Sequence, residues 1–131
     1  MKPDRLLAFA AGLLATAAFG QAEPDVTHDG KWLATIQTSE SGRQTARFVI
    51  QQFSGDWTGA AGRTSATRSA CAGHKLAITV QASTAEALDF TVWGSQVSPK
   101  CADLTIVTRS VGNDVFEGTV ESVGTIRLTR R

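Results

Sequence analysis

From residue 30 onward, short runs of the chain alternate between apolar and polar side chains. The clearest run covers residues 43–53, where Phe48 and Ile50 share one face while Arg47 and Gln51 share the other. A period of two residues indicates a β-strand with one buried face. Similar runs occupy residues 31–38, 57–58, 75–82, 87–94, 103–110, 115–122 and 124–130.

The segments between these runs are mostly short and rich in Gly, Ser, Asn and Asp, which are turn-forming residues. Short connections favour strands that pair with their sequence neighbours. We therefore predict an all-β fold, an up-and-down β-barrel-like domain of about eight antiparallel strands. The alternation is weak only over residues 59–73, which are interpreted as a long loop or as holding a poor edge strand over residues 63–67.

The beginning of the chain has the pattern of a secretory signal peptide. Lys2 and Arg5 precede an uncharged apolar run over residues 6–19, and Gly20 and Ala22 offer small residues before a cleavage site. This run is shorter than the roughly 20 residues that a membrane-spanning helix requires. We expect cleavage after Ala22 and a periplasmic or secreted product.

Removal of the signal peptide, residues 1–22, leaves a polar, flexible lead over residues 23–29 and a single domain over residues 30–131. The full chain has a formal net charge of +1, and its longest basic run in the exported part is Arg130-Arg131. Nucleic-acid binding favours a concentrated basic stripe. We therefore expect neither a nucleic-acid partner nor a membrane span in the mature chain.

The two cysteines of the chain, Cys71 and Cys101, both lie in the exported part. An even number of cysteines outside the cytoplasm predicts a disulfide. This bond would close a loop of about 30 residues and contribute roughly 3–4 kcal/mol. Two free thiols are the alternative, and two thiols are too few for a structural zinc site, which takes four ligands.

Gly30-Lys31-Trp32 opens the first predicted strand, and Arg127 and Arg130 lie in the last one. This arrangement resembles calycins, the group of lipocalins and avidins, in their glycine–any–tryptophan entry and closing arginine. The resemblance implies structural roles for Gly30 and Trp32, with Arg127 or Arg130 packed across the indole to close the barrel floor. A guanidinium stacked on an indole gains about 0.5–2 kcal/mol.

The overall plan also resembles bacterial periplasmic inhibitors of secreted metalloproteases. These combine a signal peptide, a small mature domain, one disulfide, an eight-stranded barrel and a similar tryptophan entry. The resemblance implies inhibition through a short N-terminal trunk that enters the protease cleft. In this chain the trunk corresponds to residues 23–28.

No catalytic or metal-binding motif stands out in the sequence. His28 and His74 are the only histidines, and their spacing matches no known metal motif. We interpret both as exposed loop residues. The acidic residues are scattered through turns and outward positions, and there is no nucleophile elbow. We therefore expect no metal, no cofactor and no enzymatic activity.

Three aromatic residues, Trp57, Phe90 and Trp93, are the candidates for ligand binding. Trp57 follows a turn and is expected at a barrel mouth. Alternation aims Trp93 outward, as an interface anchor, although it could instead cap a barrel end or lie under a loop. Arg43, Arg47, Arg63 and Arg68 form a mildly basic group, interpreted first as a solvated face and second as a contact for an acidic partner.

These observations predict an exported, non-catalytic binding protein for a small apolar ligand or for an envelope or secreted protein. A periplasmic protease inhibitor acting through its N-terminal segment is the alternative. A hollow barrel lined by Phe48, Phe90 and Val92 would favour the small ligand. A filled core with an exposed tryptophan would favour the protein partner.

Overall fold

The computed structural model describes residues 24–40, 42–59 and 62–131. The predicted signal peptide, residues 1–22, and the first residue of the lead, Glu23, lie outside the described residues. Within the described ranges, no helix has the length and apolar character that crossing a membrane requires.

Eight antiparallel strands form one closed sheet, because each strand pairs with the next and the last pairs with the first. The all-β, up-and-down barrel expected from the alternation is thereby confirmed. The strands are β1 Gly30–Thr38, β2 Gly42–Gln51, β3 Ser54–Gly59, β4 Lys75–Ser83, β5 Ala87–Trp93, β6 Leu104–Gly112, β7 Val115–Val120 and β8 Gly124–Arg130. Closure leaves no unpaired sheet edge of the kind that promotes aggregation.

The inward residues of all eight strands form one hydrophobic core. Burial alternates along each strand as the sequence pattern predicts, and β2 buries Phe48 and Ile50 while Arg47 and Gln51 stay exposed. At the seam between β1 and β8, Ala34 faces Leu128 and Ile36 faces Ile126, so apolar inward positions meet there. The register that closes the barrel is therefore the one that completes the core.

A set of stacked aromatic rings fills the interior of the barrel. The Phe48 ring centroid lies 6.0 Å from that of Trp32, 5.5 Å from that of Trp57 and 5.2 Å from that of Phe90. Trp57 is 0% exposed, so the structure buries it within this stack rather than exposing it at a barrel mouth. Phe90 is likewise buried, and its ring packs against both Phe48 and Trp57.

The weakly patterned stretch before β4 contains a helix, α1, over Ser65–Cys71. The edge strand or long loop expected over residues 59–73 is therefore wrong for this part. Thr64 begins the helix as its N-cap, because its hydroxyl accepts a hydrogen bond from the Thr67 amide at 3.1 Å. A one-turn 3₁₀ helix, Gly94–Gln96, follows β5.

The predicted disulfide between Cys71 and Cys101 is confirmed, with a Cα–Cα distance of 5.0 Å. Both cysteines are buried and belong to the hydrophobic core. The bond joins the last residue of α1 to the loop that precedes β6. It therefore fixes the helix over one end of the barrel.

Candidate functional site

The end of the barrel at which β1 begins and β8 ends is here called the floor. The guanidinium carbon of Arg130 lies 4.4 Å from the centroid of the buried Trp32 ring. Arg127 instead points to the outer face of β8, where it pairs with Glu117. Of the two arginines that the resemblance left open, Arg130 occupies the position across the tryptophan.

Gly30 gives this arginine the room that it needs. Its φ of +131° lies in a region that side chains with a Cβ rarely adopt, and an added Cβ would lie 2.7 Å from Arg130 Nη1. The guanidinium also donates to the Asp29 carbonyl oxygen, and its Nε lies 3.0 Å from Asp114 Oδ1. The arginine thus links the lead, β8 and the turn between β6 and β7.

The N-terminal lead, residues 24–29 of the described chain, lies across the floor. Its His28 places Nε2 2.7 Å from the Thr84 carbonyl oxygen, and its own carbonyl accepts the Trp32 indole N–H at 2.9 Å. His28 is only 8% exposed, and its ring packs edge-on against Phe116 at 4.9 Å. The interpretation of His28 as an exposed loop residue is therefore wrong, whereas His74 is exposed as expected.

Two further hydrogen bonds fasten the lead to neighbouring turns and strands. The Val26 amide donates to the Ser83 carbonyl at 2.8 Å, and the Asp29 carboxylate accepts from the Gln52 amide at 2.6 Å. Sequence reasoning missed these anchors because they join residues far apart in the chain. The only local signal was the position of His28 four residues before Trp32.

The opposite end of the barrel is here called the top, and it is covered by α1 and the disulfide. Cys71 and Cys101 are buried there, and Ala70 and Val123 pack against the core. Two shallow depressions of ≈ 320 Å³ and ≈ 250 Å³ open at this end, and both are bordered by Arg63 and the turn before β8. Leu104 of the core borders the larger depression, but neither depression is lined by a member of the aromatic stack.

Trp93 lies on the outer wall of the barrel and is half-buried. Its indole Nε1 donates to the Thr79 hydroxyl at 2.9 Å, which holds the ring against the neighbouring strand β4. The charged outward residues of β4–β6 are Lys75, Asp89 and Arg109, and they border this area. The outward residues between them are uncharged. We call the Trp93 face this set of Ala77, Thr79, Gln81, Thr91, Trp93, Thr105 and Val107.

The Trp93 face carries ordered polar groups as well as its indole. The Thr91 hydroxyl donates to the Gln81 side-chain oxygen at 3.2 Å. Below the face, Asp89 and Arg109 neutralise one another at 2.9 Å. The face therefore combines one aromatic anchor with neutral hydrogen-bonding side chains.

Among the described residues, no group of three His, Cys, Asp or Glu side chains is arranged to hold a metal ion. His28 contacts aromatic rings and a backbone carbonyl, whereas His74 is exposed in the connection after α1. The two histidines thus lie at opposite ends of the barrel, His28 at the floor and His74 at the top.

Comparisons of the chain with protein-family models, with curated proteins and with solved structures give no match. What the coordinates define is a class of protein, a small closed β-barrel with eight strands and one disulfide. The features that bear on function are therefore the interior and the surfaces of this barrel.

Proposed function

We propose that this chain is an exported, non-catalytic binding protein that recognises a protein partner through the Trp93 face. The observation that carries this proposal is the filled interior. Phe48 contacts Trp32, Trp57 and Phe90 at ring-centroid distances of 5.2–6.0 Å. A small apolar ligand inside the barrel would have to displace these rings, which favours a site on the outside.

Trp93 has the properties of an interface anchor. Its hydrogen bond to Thr79 fixes the ring before any partner arrives, so little side-chain entropy is lost on binding. Tryptophan is enriched among the residues that dominate binding energy at protein interfaces. The neutral side chains of Thr79, Thr91 and Thr105 beside Trp93 add no fixed charge that a partner would have to desolvate.

The floor does not favour the protease-inhibitor alternative. Asp25 already forms a bridge with Thr84, and Val26 bonds to Ser83. With cleavage after Ala22, only Glu23 and Pro24 would precede these anchors, a reach of about 7 Å at ~3.5 Å per residue. So short a free segment argues against a trunk that fills a protease cleft.

Two contacts within the barrel support further parts of the proposal. The contact of Arg130 with Trp32 at 4.4 Å supports a calycin-like relationship, since an arginine across the entry tryptophan is what the resemblance implies. The Cys71–Cys101 disulfide supports a periplasmic or secreted location, because such bonds persist in oxidising compartments.

The experiment that tests the proposed function is site-specific photo-crosslinking in cells. A photoreactive residue replaces Thr91, on the Trp93 face, or Thr35, on the opposite wall. We expect one discrete protein adduct from position 91 and none from position 35. Trp93→Ser in the same chain should abolish that adduct and weaken binding of the purified partner by about 2 kcal/mol or more, roughly 30-fold.

Two outcomes would contradict the proposal. Equal adducts from positions 91 and 35 would mean that the Trp93 face has no special role. Unaltered crosslinking of the Trp93→Ser variant would mean that the indole is not the anchor. Thermal unfolding of each purified variant serves as the control that the barrel itself is intact.

A further inference from the structure

The outer wall formed by β8, β1 and β2 carries a concentration of positive charge. We call the cationic wall the outward residues Lys31, Arg43, Arg47 and Arg127 with the intervening Leu33, Thr35, Gln37, Thr45, Thr125 and Thr129. The full chain has a formal net charge of only +1. The charges are therefore segregated, with an excess of cations here that the rest of the surface balances.

Strand register brings these cations together. Arg47 pairs with Leu33 and Arg43 with Gln37 across β1 and β2, while Thr35 pairs with Arg127 across β1 and β8. Arg43 and Arg47 are thus about 13 Å apart along β2. Arg127 lies two strands from β2, about 10 Å from Thr45, which stands midway between these two arginines.

Three of the four cations have no acidic partner. Among the described residues, Lys31, Arg43 and Arg47 take part in none of the ion pairs, and all three are exposed. Only Arg127 has a counter-ion, Glu117. Unpaired like charges on one wall repel one another, and an anionic ligand would relieve this repulsion.

Two adjoining depressions of ≈ 350 Å³ each mark the same wall. One is lined by Arg43, Thr35 and Gln37 on one side and by the ion pair of Arg127 and Glu117 on the other. The other lies beside Arg47 and Leu33 and extends to Thr58. Arg43 and Arg47 therefore each place a guanidinium that forms no ion pair within the described chain next to hydroxyl or amide groups.

We propose that the cationic wall binds a linear anionic polysaccharide. The guanidinium groups of Arg43 and Arg47 would contact carboxylate or sulfate groups in a forked geometry, and Arg127 would add to the positive potential beside them. The threonine hydroxyls and the Gln37 amide would contact the sugar hydroxyls. The unpaired charge of the wall and its rows of hydroxyl groups together match a sugar chain that carries acidic groups at intervals.

Other polyanions fit this wall less well. Single-stranded nucleic acids are held by aromatic side chains on which bases stack, and the outward residues of β8, β1 and β2 include no aromatic ring. A protein interface usually has an apolar centre, whereas Leu33 is the one apolar residue of the wall and Val49 lies beside it on β2. An acidic protein and a nucleic acid are therefore the alternatives that the test must separate.

The test uses the purified chain without residues 1–22, titrated with heparin as a sulfated probe and polygalacturonate as a carboxylated probe. We expect the variant Arg43→Gln/Arg47→Gln to lose at least tenfold in affinity for the polysaccharide that binds best. Its plot of log affinity against log salt should be shallower by about two, since two ionic contacts are removed. Lys100→Gln/Arg109→Gln removes the same charge from two exposed sites on the far side of the barrel and should change affinity less than twofold.

Several results would overturn the inference. An equal loss in the Lys100/Arg109 control would mean that net charge, not the wall, attracts the probe. Poly-aspartate or DNA binding as tightly as either polysaccharide would refute the sugar component, and no binding of the parent chain at low salt would refute the site. Trp93→Ser should leave polysaccharide affinity unchanged, so failure of this inference is distinguishable from failure of the proposed function.

Discussion

The two ends of this barrel are closed by different means. At the floor, Trp32 is buried under Arg130 and the lead, and the contacts are a stacked guanidinium and hydrogen bonds. At the top, α1 is fastened by the covalent bond between Cys71 and Cys101. One end is thus held by packing and polar contacts, and the other by a crosslink.

The difference implies that the two ends respond differently to substitution. A floor residue acts on the folded state, because its removal leaves a cavity or an unpaired polar group. The crosslink acts largely on the unfolded state, because it limits the conformations of the open chain. The seven-residue helix α1 is also too short to be stable by itself, so the top depends on its attachment to the barrel.

The largest effect is expected from Trp32→Ala at the floor. Loss of the indole leaves a large cavity beside Phe48 and Phe116 and should lower the free energy of unfolding by about 3–5 kcal/mol. Urea denaturation with the disulfide intact measures this loss. Trp93→Ala on the outer wall is the matched control and should cost less than half as much; equal losses would mean that Trp32 is not a core residue of the floor.

Removal of the crosslink at the top should be nearly as costly. The double variant Cys71→Ala/Cys101→Ala should lose about 3–4 kcal/mol, as expected for a closed loop of about 30 residues, and alanine adds no buried hydroxyl group. The amides of α1 should exchange faster with solvent hydrogen than in the parent chain. The amides of β1 and β8 should remain better protected than those of α1. If the floor amides lose protection first, the two ends are not independent.

A smaller effect is expected from Arg130→Gln, which removes the cation stacked on Trp32. The loss should be about 2 kcal/mol, the upper part of the range for a stacked cation, because the guanidinium also bonds to Asp29 and Asp114. The matched control is Arg127→Gln, whose exposed pair with Glu117 should be worth less than about 1 kcal/mol. Chemical denaturation of both variants compares them, and a larger loss for Arg127→Gln would contradict the assignment of Arg130.

The smallest effect is expected from Thr64→Ala at the start of α1. The hydroxyl that caps the Thr67 amide is lost, which should cost about 1 kcal/mol. The exposed Ser65→Ala serves as the control, and thermal unfolding compares the two. If Thr64→Ala still costs about 1 kcal/mol in a variant that also lacks the disulfide, α1 remains folded on the barrel without its crosslink. That result would weaken the contrast between the two ends.

The strands of the barrel could be predicted because their signal is local. Alternation at Phe48 and Ile50 against Arg47 and Gln51 requires only neighbouring residues, and burial follows from it directly. The disulfide was equally accessible, since two exported cysteines leave one pairing. The outer position of Trp93 also follows from the alternation of inward and outward side chains along β5.

Other features could not be found from local pattern. Residues 65–71 are rich in small and polar residues with no apolar stripe, so α1 is specified by its Thr64 cap and its attachment through Cys71. The burial of His28 could not be predicted from its sequence neighbours, because the atoms that enclose its ring include those of Thr84 and Phe116, which are far away in the sequence. Trp57 lies in the core because its ring stacks on Phe48 across β2 and β3.

The sequence by itself determined the number of strands, the direction of their side chains and the cysteine pair, because each depends on spacing within a short segment. Only the tertiary structure decided what closure brings together. The pairing of β8 with β1 sets Arg130 against Asp29, 101 positions away in the chain, and brings Arg127 to the wall that holds Arg43 and Arg47. Such contacts are fixed by register around the whole barrel, and no local pattern of residues encodes that register.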